Sequence, residues 1–192
     1  PALQMEAGRI YMLLGQSDRA RMAAEHVLEL EPDELSGYLL LADTSRTPEE
    51  VDAALERLAG KAEQFDGDAV FHAALAELHL RKRELETAEA ALNRALEINP
   101  DLAQVHQTLG LVYQLQGDID KAAAEFRAGA DLAPDDPRVQ IKLAQFKLQT
   151  GDPAEARRIL EAFVERLPES GMVQLELAKL DFKERQFEAA LE

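Results

Sequence analysis

Pro32, Pro100, Pro134 and Pro168 stand 68, 34 and 34 residues apart, and the rest of the 192-residue chain keeps the same step. Laid out at a period of 34, the sequence gives five full repeats, 1–34, 35–68, 69–102, 103–136 and 137–170, and a partial one, 171–192. The eighth place of every repeat is small: Gly8, Ala42, Ala76, Gly110, Ala144 and Ala178. The seventh is Ala7, then Leu41, Leu75, Leu109, Leu143 and Leu177, and the twentieth is alanine from Ala20 to Ala190. A repeat of this length is one supersecondary piece that cannot bury its own apolar face, so copies must stack on their neighbours.

The pieces are helices. Ala, Leu, Glu, Arg and Gln dominate, all strong helix formers, and no run of alternating apolar and polar residues reads as a strand. Gly15, Gly117 and Gly151 sit where the first helix of a repeat must stop in a left-handed conformation. The stretch "GDPAEA" restarts the chain, with Asp152 as N-cap, Pro153 as first helical residue and Glu155 completing a capping box. The small residues at the eighth and twentieth places let the two helices approach closely. The repeat 35–68 is irregular: Thr47, Pro48 and Glu50 start its second helix about three residues early, and Val51, Leu55 and Leu58 take the parts of Ala156, Leu160 and Phe163. Asp66 stands there in place of the proline, and the shift marks residues 45–67 as a bend or a tolerated local change.

In the repeat 103–136, Leu109, Gly110, Tyr113, Gly117, Ala122, Phe126 and Pro134 follow the pattern L-G-x-x-Y…G…A-x-x-x-F…P. That pattern resembles the tetratricopeptide repeat. The resemblance covers essentially the whole chain and implies an all-α fold, a right-handed superhelical solenoid of helix–turn–helix repeats running as one array over residues 1–192. On this reading the last repeat ends inside its second helix and exposes Phe187, Ala190 and Leu191, so the chain is expected to be a piece of a longer array.

No pattern of catalytic or metal-binding residues stands out. A net charge of −16 argues against nonspecific binding to nucleic acid or an anionic membrane. Without cysteine there is neither a disulfide framework nor a thiol metal site, and no run of apolar residues is long enough to span a membrane. His72 and His106 occupy the fourth place of their repeats and His79 the eleventh, where the family has Trp and Tyr, so they read as polar substitutes in interhelical packing; His26 reads as facing solvent. The acidic turns lack the spacing of a calcium loop, and neither a phosphate-binding loop nor a nucleophile motif is present. The expectation is a noncatalytic chain with no metal and no cofactor.

The resemblance also implies a partner-binding groove lined by places 2, 5, 9 and 12 of the first helices. Here those are Met5, Arg9 and Met12; Leu39, Asp43 and Arg46; Ala73, Glu77 and Leu80. Further along they are Gln104, Gln107, Leu111 and Gln114; Arg138, Ile141, Gln145 and Leu148; Met172, Leu175, Lys179 and Phe182. Cations outnumber anions in this set, so the groove reads as neutral to mildly basic and suited to a peptide with apolar anchors and some acidic groups. No repeat offers the Lys-then-Asn pair of the family's chaperone-tail binders, and Asn93 and Asn99 do not make the asparagine ladder of its sugar-transferase arms. The function expected is a protein–protein interaction scaffold, with a recruiting arm of a larger enzyme, such as a glycosyl- or sulfotransferase, or a self-assembling module as alternatives. Its composition reads as bacterial, and either cytoplasm or periplasm is compatible with it.

Overall fold

Runs of helix formers between glycine and proline stops become helices in the folded chain. A computed structural model describes the backbone of residues 1–191 and the side chains of residues 1–182; among the described residues there are twelve helices and no strand. The chain divides into two compact units, Pro1–Pro100 and Asp101–Glu192, each with its own core. The first unit comprises α1 (Ala2–Leu13), α2 (Ser17–Leu30), α3 (Leu35–Thr44), α4 (Pro48–Ala59), the short α5 (Ala62–Phe65), α6 (Ala69–Arg81) and α7 (Leu85–Ile98). The second comprises α8 (Ala103–Gln116), α9 (Ile119–Leu132), α10 (Pro137–Gln149), α11 (Pro153–Arg166) and α12 (Gly171–Leu191).

The repeat signature describes how each pair is built. In the α8–α9 pair a Cβ on Gly110 would lie 3.1 Å from the ring of buried Phe126, so the glycine is a spacer that brings the aromatic down onto α8. Gly117 then ends α8 at φ 86°, and the Asp118 carboxylate accepts the Lys121 N–H at 3.2 Å to open α9. The twentieth-place alanines from Ala20 to Ala156 are buried, while Ala190 lies outside the residues whose side chains are described. Arg83 takes the place of the stop glycine between α6 and α7 and adopts φ 60°, which is unfavourable for a residue with a Cβ. At α11 the Asp152 carboxylate accepts the Glu155 N–H at 3.0 Å, but the reciprocal half of the expected box is missing; Glu155 turns to Arg158 instead.

The irregular second repeat starts α4 at Pro48, as its sequence requires, with both halves of the capping box formed. Thr47 accepts the Glu50 N–H, and Glu50 accepts the N–H groups of Thr47 at 3.1 Å and Arg46 at 2.7 Å. The residues that restore the period form α5, whose Phe65 ring packs between Tyr38 and Phe71 at centroid distances of 6.1 and 5.6 Å. The early start of α4 cuts α3 short at Thr44, whose hydroxyl and that of Ser45 bond the Leu40 and Leu41 carbonyls, while a side chain from the next repeat serves the carbonyls beyond. The Arg81 guanidinium donates to Ala42 O and, at 3.0 Å, to Ser45 O, capping α3 from α6. Residues 44 and 45 are buried under this contact. The segment read as a possible bend is thus tied down by hydrogen bonds and aromatic packing.

One expectation fails at the other end. The chain does not turn into a second helix after residue 182; α12 runs unbroken to Leu191. Lys183, Glu184, Arg185 and Gln186 are all helix formers, and Arg185 stands at the place where Gly15, Gly117 and Gly151, and also Arg83, end the first helix of their repeats. With no second helix folded against it, Ala178 is exposed, unlike the earlier small residues at its place. The expected exposure of Phe187, Ala190 and Leu191 lies outside the residues whose side chains are described.

Candidate functional site

Within the first unit, the expected groove residues do not behave alike. Met5 and Met12 are partly buried against the core, and Arg9 is exposed, 3.9 Å from Glu6. Leu39, Ala73 and Leu80 are half-buried, and Arg46 is exposed beside the α4 capping box. Asp43 on α3 and Glu77 on α6 share one neighbourhood with Arg81. Burial pushes the Glu77 carboxyl above its ordinary value, the Asp43 charge adds to this, and Arg81 opposes it. Asp43 is likewise raised by desolvation, with Arg81 and Arg46 pulling back.

In the second unit, α8 and α10 lie side by side and leave a hollow of about 540 Å³. Gln104, Gln107, Leu111, Gln114 and Gln145, all expected from the sequence, line it. Its floor is the Phe126–Phe146 pair, with ring centroids 4.9 Å apart. Gln107 is only 6% exposed, and its Nε2 donates to Val139 O at 3.3 Å, so that amide is spent on joining α8 to α10. The Gln114 amide donates to Gln149 across the same two helices. Among the described residues the side-chain amides of Gln104 and Gln145 have no partner within the protein.

The sequence reading missed Thr108, Leu115, Lys142 and Gln149, which also line the hollow. They occupy places 6 and 13, next to the expected stripe of places 2, 5, 9 and 12. Places 2, 5, 6, 9, 12 and 13 together make the broader face that a straight helix of 3.6 residues per turn presents.

Other expected residues lie apart from the hollow. Ile141 is 8% exposed and belongs to the core, as does the partly buried Leu148 packed on it. Arg138 is held against Asp136, whose carboxyl it depresses chiefly by side-chain hydrogen bonding, at 2.8 Å. Lys179 pairs with Glu176 at 2.7 Å on α12, where Met172, Leu175 and Phe182 are exposed. The histidines are engaged in packing and turn contacts. His79 Nδ1 bonds Glu84 at 2.7 Å and His106 Nδ1 bonds Glu125 at 2.6 Å, while His72 Nε2 donates to Asp66 O at 2.8 Å. His26 is half-exposed beside Glu29.

A family profile described as tetratricopeptide repeat matches residues 48–111 and 113–180, and a second of the same description matches 2–34. The chain belongs to the tetratricopeptide repeat (TPR) family. Among solved structures it is similar to TTC0263, a thermophilic TPR protein of Thermus thermophilus, at 26% identity and TM-score 0.81, covering 94% of this chain and 98% of that one. The fold is shared with Pseudomonas aeruginosa pilF, at 18% identity and TM-score 0.70 over 97% of this chain and 90% of that one. It is also shared with YrrB, described as a TPR protein with an unusual peptide-binding site, at 14% identity and TM-score 0.56 over 90% and 89%. No curated protein matches. Among the described residues, no helix of this TPR chain is long and apolar enough to cross a membrane.

Proposed function

We propose that this TPR chain is a noncatalytic interaction scaffold that holds a protein or peptide partner on the face formed by the first helices of its repeats. The observation that carries the reading is the hollow between α8 and α10, where amides and leucines stand open on two packed helices. Side chains held on rigid elements are already ordered, so a partner docking there costs the receptor little conformational entropy. Membership of a family of scaffolds supports the same reading, and a fold neighbour described as having a peptide-binding site accords with it.

A photo-crosslinking amino acid at Leu111, inside the hollow, and another at Arg127, exposed on α9, tests the proposal in the organism of origin. Leu111 should yield a discrete crosslinked partner and Arg127 should not. Equal crosslinking from both positions, or none from Leu111, overturns the proposal.

A further inference from the structure

The hollow of the second unit is unlike the chain around it. The protein carries a net charge of −16, yet among the described residues no Asp or Glu lines the hollow, and its one charged lining residue is a lysine. Lys142 is exposed and, among the described residues, has no ion-pair partner; Arg138 on α10 and Lys179 on α12 are held by Asp136 and Glu176. Arg57, Arg127 and Lys147 are likewise without an ion-pair partner among the described residues, but none of them lines the hollow, whereas Lys142 stands in it and offers an external carboxylate a partner there. A single lysine is far short of the several phosphate contacts that a nucleic acid needs.

The remaining lining specifies the rest of the occupant. Leu111 and Leu115 are 39% and 57% exposed over the Phe126–Phe146 floor, an apolar seat for one side chain. Gln104 and Gln145 flank it with unbonded primary amides, each of which donates and accepts at once and so matches a peptide unit. From Gln104 to Leu115 the wall of α8 rises about 16 Å, the reach of about five extended residues.

We infer that this hollow takes an extended peptide segment that carries a leucine-sized side chain and a carboxylate within about five residues. The apolar side chain rests on Leu111, Leu115 and Phe146, the carboxylate pairs with Lys142, and Gln104 and Gln145 hold the backbone. The inference rests on the scaffold reading above and narrows it to one chemical class of partner.

The test is selection of a displayed library of random short peptides on the whole chain, followed by anisotropy titration of the best peptide against variants. Enriched peptides should pair Asp or Glu with Leu, Met or Phe. Lys142→Glu should weaken the best peptide by about fivefold or more, and Leu111→Glu should weaken it as well. Replacing the peptide's acid by lysine should restore binding to Lys142→Glu. Both variants alter exposed side chains, and their melting curves should match that of the parent. Selected peptides that are indifferent to both variants, or whose apolar residues recur at helical spacing without an acid, overturn this inference and leave the scaffold reading standing. A library that yields no binder at all overturns both.

Discussion

The fourth place of the repeats shows what a single residue contributes to such an array. Tyr38 donates its hydroxyl to Pro32 O at 2.8 Å, His72 its Nε2 to Asp66 O at 2.8 Å, and Gln174 its Nε2 to Pro168 O at 2.5 Å. Three different side chains thus reach back six residues to the carbonyl that closes the preceding turn. Such a carbonyl has no helical partner and is costly to leave unmet when covered. His72 is therefore a turn clasp, and a glutamine should do its work. His72→Gln should retain the parent melting temperature, whereas His72→Ala should cost about 1 kcal/mol in a denaturant titration. Equal losses in both would assign His72 to packing alone. The sequence reads His72 as a polar substitute in interhelical packing; its partner in the turn could not be read there, because the bond goes to a backbone atom that any residue supplies.

At the scale of the element, the start of α4 is the most legible feature of the chain and also carries a pH signature. Backbone N–H groups of Arg46 and Thr47, and then the Arg21 guanidinium, hold the Glu50 carboxyl down at about 2. A carboxyl whose folded value lies below its unfolded one adds stability above the unfolded value and loses it as pH falls toward the folded value. The contribution of Glu50 should accordingly be complete near neutrality and fade between about pH 4.5 and about pH 2. Glu50→Gln should melt earlier than the parent at pH 6, with the gap closing toward pH 2; a gap that persists at pH 2 would refute the role of the charge. Thr47, Pro48 and Glu50 announced this helix because caps are local in sequence. The capping of α3 by Arg81 was invisible, since it joins residues 36 and 39 apart. The unbroken α12 was equally hidden: the period predicts a turn at Arg185, and the third repeat does turn at Arg83 in a similar run of charged helix formers, so local sequence does not separate the two.

For the whole molecule, stability in a repeat fold is a sum of local terms, so damage should stay near its source. Gly129 offers a clean case. A Cβ there would lie 2.9 Å from Ala103 O, a backbone atom in the first turn of α8 that cannot move cheaply. Ala is better than Gly in a helix by about 1 kcal/mol, but overpacking against a fixed atom costs about 1–3 kcal/mol, so Gly129→Ala should be destabilising. Hydrogen exchange should then lose protection over α8 and α9 while helices α1 to α7 keep theirs; uniform loss along the chain would mean the two compact units unfold as one. The thirty-four-residue period carried most of the fold and five of the residues lining the hollow. It could not reveal which amides were already taken, as those of Gln107 and Gln114 are, because hydrogen bonds between neighbouring helices depend on rotamers rather than on register.

The reach of Arg81 from α6 to the end of α3 bears on how interchangeable the repeats are. A solenoid is commonly treated as a string of exchangeable modules, each cut at the same place in the period. Here the second module caps the Leu40 and Leu41 carbonyls with its own Thr44 and Ser45 hydroxyls and borrows a further cap from the third, which presents an arginine whose hydrogen-bond acceptors lie next door. Residues 35–102 consequently form a single cassette for grafting: transplanting one of the two repeats alone would strand either a guanidinium or the carbonyls it serves.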